Sequence, residues 1–257
     1  MLRKVLIVMT LAVLAAAPLS AQSLDDVLAK YIKARGGMEK LKAVKTMRIT
    51  GKFSGGGNPE FPFVAEQKRP ENLRLEFTYQ GLTGVQAYDG KVGWAINPFQ
   101  GKKDAELMGE DQLKPTQEQA DFDGPLVDYK AKGHTVELLG KEQVEGTDAY
   151  KLKVTLKNGT EEIIYLDSEE YLEIKNETKH TVRGTESESV GVVGDYKEVE
   201  GLMFAFSQEG GPKGTPSSSW QKVTIEKVEF NIPIDDSRFA MPAPTAPPAA
   251  KPEEPKK

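Results

Sequence analysis

The strongest constraint on this chain is an alternation of apolar and polar residues, with period two, that recurs from Thr46 almost to the C-terminal end. Met47, Ile49, Gly51 and Phe53 alternate with Arg48, Thr50 and Lys52, a pattern that a strand with one dry face satisfies and a helix does not. Leu73, Leu75 and Phe77 repeat it around Arg74 and Glu76, as do Val92, Trp94 and Ile96, then Tyr150, Leu152, Val154 and Leu156, and finally Ile225, Val228 and Phe230. Asp89-Gly90 and Asn158-Gly159 between these runs are strong two-residue hairpin signals, and Glu145-Gly146 and Glu200-Gly201 are weaker ones. Short strands joined by tight turns, without a βαβ rhythm, predict a mainly β (α+β) chain built on one large antiparallel sheet. One domain is expected over residues 22–241.

Two intervals depart from period two. Ser23 can cap a helix that places Leu24, Val27, Leu28, Tyr31 and Ile32 on one face and stops at Gly36-Gly37. Met38, Leu41 and Val44 suggest a further short turn. From Lys103 to Lys130, Leu107, Met108, Leu113, Phe122, Leu126, Val127 and Tyr129 stand among acidic residues without alternation. Two short amphipathic helices are expected there, interrupted at Pro115 and at Asp123-Gly124-Pro125, and packed with the first helix on one face of the sheet.

The ends of the chain read differently. Arg3 and Lys4 precede the uncharged run Val5 to Ala17, and Pro18-Leu19-Ser20-Ala21 offers small residues. This is the pattern of a secretory signal peptide cleaved after Ala21; an uncleaved membrane anchor is the alternative, for which the run is short. Residues 242–257 carry Pro242, Pro244, Pro247, Pro248, Pro252 and Pro255, which disfavours helix and sheet and predicts a disordered tail or stiff linker. The 257 residues include no cysteine. Disulfides, thiolate metal sites and a lipid-modified N-terminal cysteine are therefore excluded. A net charge of −5 gives no overall basic field for nucleic acid.

The chemical inventory is thin, and no catalytic residue, cofactor or metal site is expected. His134 and His180 lack a histidine at ligand spacing. Asp121, Asp123, Asp128 and the Asp235-Asp236 pair match no Ca²⁺ loop and read as solvated charge. A hydrolase would need Asp121, Asp123 or His134 to converge in a pocket. No nucleophile elbow or phosphate loop is present, so binding is the expected activity.

One block is more specific. Lys68-Arg69-Pro70 leads through Leu73-Arg74-Leu75-Glu76-Phe77 to Tyr88-Asp89-Gly90-Lys91 and Trp94-Ala95-Ile96-Asn97-Pro98-Phe99. This order resembles the LolA family of periplasmic lipoprotein carriers. Val144-Glu145-Gly146 to Leu152, Ile164 to Asp167, and Phe239 before Pro242 agree more loosely. The resemblance implies an incomplete β-barrel with a helical lid, and a soluble monomeric periplasmic chaperone. It would shield acyl chains of lipidated proteins, or a similar amphiphile, between an inner-membrane ABC-type release complex and an outer-membrane receptor. It assigns Arg69 to locking the lid through lid carbonyls, against the plain alternative of a surface arginine. Leu73, Leu75, Phe77, Trp94, Ile96 and Phe99 become cavity candidates, although filling a closed core fits their alternation equally. Leu107, Leu113, Phe122 and Leu126 would face the cavity from the lid helices. A non-enzymatic envelope sensor or structural binding module on the same fold is the competing expectation.

Overall fold

The computed structural model describes residues 22–55, 58–182 and 185–244. The expected signal peptide, and the tail beyond 244, lie outside the described residues. The chain begins with helix α1 (Leu24–Ala34). Ser23 Oγ accepts from the Asp26 amide at 3.1 Å while the Asp26 carboxylate accepts from the Ser23 amide at 3.3 Å, a reciprocal cap. Gly36 follows the helix at φ 111°. Even apart from that dihedral, a Cβ there would lie 2.3 Å from the Gly201 carbonyl, so only glycine brings the helix end this close to the sheet. Helix α2 (Met38–Ala43) leads into the strands.

The strands run β1 (Thr46–Gly55), β2 (Asn58–Lys68), β3 (Asn72–Tyr79), β4 (Leu82–Asp89), β5 (Gly93–Ile96) and β6 (Glu106–Leu107). After α3 (Glu110–Gln119) and α4 (Tyr129–Lys132) come β7 (Thr135–Val144), β8 (Thr147–Thr155), β9 (Glu161–Asp167), β10 (Glu173–Val182), β11 (Thr185–Val199), β12 (Leu202–Pro212) and β13 (Gln221–Phe230). They form one 13-stranded antiparallel sheet of order β6-β5-β4-β3-β2-β1-β13-β12-β11-β10-β9-β8-β7. The chain starts mid-sheet and steps outward by hairpins to β6. It crosses to the opposite edge at β7 and steps back to β13, which pairs with β1 from Met47↔Phe230 onward. The two edges do not pair, so the barrel stays open, and the crossing segment 108–134 carries α3 and α4. The fold is an open β-barrel with a helical lid.

The tightest turns are not where the strongest dipeptides stand. Gln80-Gly81, Glu145-Gly146 and Glu200-Gly201 have both central residues at positive φ, flanked by the pairs Tyr79↔Leu82, Val144↔Thr147 and Val199↔Leu202; these are the two-residue hairpins. Asp89-Gly90 opens a longer turn in which the Asp89 carboxylate accepts from the Lys91 and Val92 amides. Asn158-Gly159 sits inside a five-residue connection between Thr155 and Glu161. Gly55 at the end of β1 pairs with Asn58 at the start of β2.

One large apolar cluster covers the inner face. It unites Val27, Leu28 and Tyr31 of α1 with Met47, Phe63, Leu152, Ile164, Phe206 and Val228 from strands on both sides of the sheet. Strands as far apart in sheet order as β2 and β8 share it, so the sheet curls around its helices. Leu73 packs with Tyr88, Ala120 and the partly buried Leu113 under α3.

The outer face is fastened by the segment 231–241. Thr46 Oγ1 donates to the Ile232 carbonyl at 2.6 Å, Lys68 Nζ to the Ile234 carbonyl at 3.0 Å, and Trp94 Nε1 to the Phe239 carbonyl at 2.8 Å. Glu66, 2% exposed, accepts from Arg48 and from Arg238, and Arg238 also reaches Glu76. Phe239 is fully buried. Phe239→Ala removes a large side chain with little room to collapse, and a loss of about 3–5 kcal/mol in urea unfolding is expected. Unfolding at the wild-type midpoint would show that the strap is dispensable.

Candidate functional site

Three features meet on the inner side, beginning with a clamp. Arg69 stands just after β2, where Nε donates to the Val44 carbonyl at 2.7 Å and Nη2 to the Leu41 carbonyl at 2.9 Å. The last carbonyls of α2 lack intrahelical donors, and the guanidinium supplies them. The same guanidinium grips Asp123 of the crossing segment, with Nη1 2.8 Å from Oδ2 and Nη2 2.5 Å from Oδ1, and lies 4.4 Å from the Phe122 ring centroid. Lys42 Nζ bonds Asp123 and Asp128, both at 2.7 Å. Arg35 Nη1 donates to the Asp123 carbonyl at 2.9 Å and to the Tyr31 hydroxyl at 3.1 Å. Asp123 is therefore the hub through which α1, α2 and the end of β2 hold the segment between α3 and α4.

This overturns the solvated reading of Asp123, which is 4% exposed. Burial alone would raise its pKa, but hydrogen bonds from Arg69 and Lys42, reinforced by their charges, hold it at about 2. Its apolar neighbours Phe122, Leu126 and Val127 were the available signal that the aspartate enters the core with them. Asp121 instead pairs with Lys132 Nζ at 2.5 and 2.7 Å. His134 stands at the junction of α4 and β7 rather than on a strand, and its Nδ1 accepts from the Lys157 amide at 3.0 Å. His180 lies on β10. Asp121 and His134 do open on a common cleft, but Asp123 is engaged elsewhere. Among the described residues, no group of three or more His, Asp or Glu could hold a metal ion.

The expected lid residues divide. Leu113 lies on α3. Leu107 lies on the edge strand β6 and is 68% exposed, while Phe122 and Leu126 sit in the connection between α3 and α4. Pro115 does not interrupt α3 but lies inside it. Its missing N–H removes one ladder bond, while the Thr116 hydroxyl bonds the Gln112 carbonyl at 2.8 Å. The second expected helix shrinks to the four residues of α4, because Gly124-Pro125 and the left-handed Asp128 at φ 53° delay its start.

The second feature is a strip of rings at the end of the sheet away from the clamp. Phe53 stacks on Phe61 at 5.6 Å; Phe61 meets Phe77 at 6.5 Å and Tyr79 at 5.9 Å; Phe77 stacks on Phe99 at 5.6 Å. A Cβ at Gly84 would lie 2.5 Å from Phe77 and 3.0 Å from Phe99, so the missing side chain makes room for the stack. Phe53, Phe61, Phe77 and Tyr79 are only partly buried, and Phe99 is 41% exposed. Beside Phe53, β10–β13 form a trough of about 370 Å³ floored by Gly191 and Gly210, which face each other across β11 and β12.

The cavity candidates accordingly split between faces. Leu73, Leu75 and Phe77 share the inner face, with Phe99 folded onto it. Trp94 and Ile96 pair with Ala87 and Val85, whereas Leu75 pairs with Gln86, one residue out of phase. Trp94 and Ile96 thus lie on the outer face, where Val85, Ala87 and Trp94 form their own cluster. The third feature is a cleft of about 710 Å³ between the crossing segment and the β8–β9 turn, lined by Tyr88, Glu118, Asp121, His134 and Glu162 among others.

The clamp has a defined acid response. Asp123 at about 2 against an ordinary 3.8 stabilises the clamped state fully above the ordinary value and loses that contribution as pH falls through about 2, an effect of about 2 kcal/mol. Asp123→Asn should flatten this limb of the stability curve and, by leaving Arg69 and Lys42 facing a neutral amide, cost about 3–5 kcal/mol near neutrality. A variant whose urea midpoint matches the wild type at every pH from 2 to 7 would contradict the geometry.

No protein-family model matches the chain, and no curated protein matches its sequence. Solved structures do match. A DUF1329 family protein from Desulfovibrio piger aligns with a TM-score of 0.59 at 12% identity, covering 84% of this chain and 96% of the other. A LolA superfamily protein from Nitrosomonas europaea gives 0.59 at 14%, covering 86% and 98%. A putative outer membrane lipoprotein-sorting protein domain from Vibrio parahaemolyticus gives 0.57 at 13%, covering 82% and 94%. The open, lidded sheet of this chain shares its fold with these LolA-like structures.

Proposed function

We propose that this chain is a periplasmic, non-enzymatic carrier that shields the acyl chains of lipidated proteins, or of a similar amphiphile, during transfer to the outer membrane. The observation that carries this reading is the strip Phe53–Phe61–Phe77–Phe99. It is an apolar surface on the inner side of the sheet that the helices leave partly uncovered. A chain that needed only a core would bury these rings. A 16-carbon acyl chain bare in water costs about 12 kcal/mol, at about 0.8 kcal/mol per CH₂. A carrier has to offset much of that by non-directional apolar contact and still release its load.

Arg69 is the lid-locking residue in this reading. It ties the crossing segment to α2 and β2 through bonds made only in the closed arrangement, and release of Asp123 frees the segment over the cavity. Leu73, Leu75, Phe77 and Phe99 line the acyl path, and Leu113 and Phe122 cover it. The sequence-related supports are the N-terminal export pattern, the LolA-like motif block, and the lipoprotein-sorting label of one structural neighbour. An inner-membrane release complex and an outer-membrane receptor are the partners expected of such a carrier.

Native mass spectrometry of protein purified from its own envelope should show a co-purifying lipid or lipoprotein. A single stoichiometric protein partner without lipid would overturn the carrier in favour of a sensor or binding module. Phe99→Asp puts a charge on the exposed end of the ring strip without entering the core. It should weaken a fluorescent fatty-acyl probe at least tenfold in equilibrium titration while the circular dichroism spectrum holds. Unchanged probe affinity would remove the strip from the binding surface.

A further inference from the structure

The crossing segment is held at a second place. Glu118 of α3 accepts from Asn158 Nδ2 at 2.8 Å and from the Thr160 hydroxyl at 2.6 Å. Thr160 is 1% exposed, and its amide donates to Asn158 Oδ1 at 3.0 Å, so the turn presents both donors already arranged. The neighbouring positions on α3 look the other way. Gln67 Nε2 on β2 donates to the Gln119 carbonyl at 2.9 Å, and Gln117 Nε2 donates to the Tyr88 hydroxyl on β4 at 3.3 Å. Glu118 thus reaches across the open seam, from a helix anchored on the β1–β6 meander to the β8–β9 turn of the other.

Glu162 lines the same cleft as Glu118 and Asn158. Its register partners are Val154 on β8 and Thr178 on β10, on the face that carries Leu152 and Ile164, and it lines the 710 Å³ cleft. The groups that face it come from every surrounding element. Glu118 comes from α3, Asp121 from the connection after it, and Glu173 from β10. Glu71 of the β2–β3 turn, Lys132 of α4, His134 and Lys157 line the same cleft. Lys132 is taken by Asp121, and burial holds His134 below its ordinary range. Glu162 therefore gains its ionised charge among carboxylates, one of which is the acceptor that shuts the seam.

We propose that Glu118 is a second latch of the lid, hooked on Asn158 and Thr160, and that the charge state of Glu162 sets whether that latch holds. This rests on reading segment 108–134 as a lid, but it concerns the lid's own equilibrium and not its ligand.

The sign follows from the surroundings. Burial, then the Glu118, Glu173 and Asp121 charges, push Glu162 from an ordinary 4.5 up to about 7 in the closed arrangement. Opening exposes Glu162 to water and returns it toward the ordinary value. The closed state is favoured fully while Glu162 is protonated in both arrangements, and that preference is lost as pH rises through about 7. The closed-to-open ratio should fall on the order of a hundredfold between pH 5 and pH 8.

The absence of cysteine makes the test direct, because two introduced thiols are the only labelling sites. Gln119→Cys on α3 and Glu137→Cys on β7 carry spin labels in the ligand-free protein, and the pairwise distance distribution is read from pH 5 to pH 8. The wild-type background should give one short distance at pH 5 and a growing long population by pH 8. Glu162→Gln should keep the short distance at pH 8. Thr160→Val, which deletes one latch donor at nearly constant shape, should show the long population already at pH 5. His134→Asn should leave the pH response in place. A distribution that ignores pH, an E162Q protein that follows the wild type, or a response abolished by H134N would each overturn the latch. Loss of acyl-probe binding with this pH response intact would count against the carrier and not against the latch.

Discussion

The ion pair between Arg69 and Asp123 is the contact on which the arrangement of the lid depends. A carboxylate that is 4% exposed cannot stand alone in an apolar environment, and here it has two charged partners, Arg69 and Lys42, while Arg35 donates to the backbone carbonyl of the same residue. Such a pair contributes little against a well-packed apolar substitute, yet leaving either half unpaired is expensive. The consequence is cooperativity. Withdrawing Asp123 takes from Arg69 its charged partner and removes one partner each from Lys42 and Arg35 at the same time. In the carrier reading, a network broken all at once would favour two discrete lid arrangements over intermediate ones.

Topology explains why the lid spans the seam. Both halves of the chain are meanders that need no long crossing until the outward path ends at β6 and the return begins at β7. The segment joining them must bridge the two unpaired edges, and it brings α3 over the inner face. The outer face contrasts with this. There the 231–241 strap, the Trp94–Phe239 bond and the Glu66 network tie β1, β2, β3 and β5 together. In the carrier reading, a sheet fastened on its outer side would keep its curvature when its inner cover lifts.

Legibility in the sequence followed the range of the interaction concerned. Ser23, Gly36-Gly37 and the alternation within β1, β3, β8 and β13 are local signals, and they produced the elements expected of them. Alternation says which residues of one strand share a face, but not which face of the next strand is the same one. Trp94 and Leu75 both alternate correctly, and only the register through Ala87 and Gln86 separates them. Glu145-Gly146 out-turned Asn158-Gly159 because Asn158 is committed to Thr160 and Glu118, a tertiary demand with no local trace. The motif block singles out Arg69, whereas nothing in the sequence pairs it with Asp123, 54 residues away, whose apolar neighbours signal burial but not its partner.

The ring strip and the two fastenings of the lid lie at different places and act through different physics. As the proposed acyl surface, the rings would bind by area alone, with an affinity that scales with the length of apolar chain in contact and tolerates variety in what that chain is attached to. The Arg69–Asp123 clamp is electrostatic and stays charged down to about pH 2. It therefore does not respond to the ordinary pH range. Glu118 is fastened by two neutral donors beside a titratable neighbour. One fastening is thus insensitive to pH and the other poised within it. In the proposed latch, that difference would let the seam loosen on one side while the α2 end of the lid remains held.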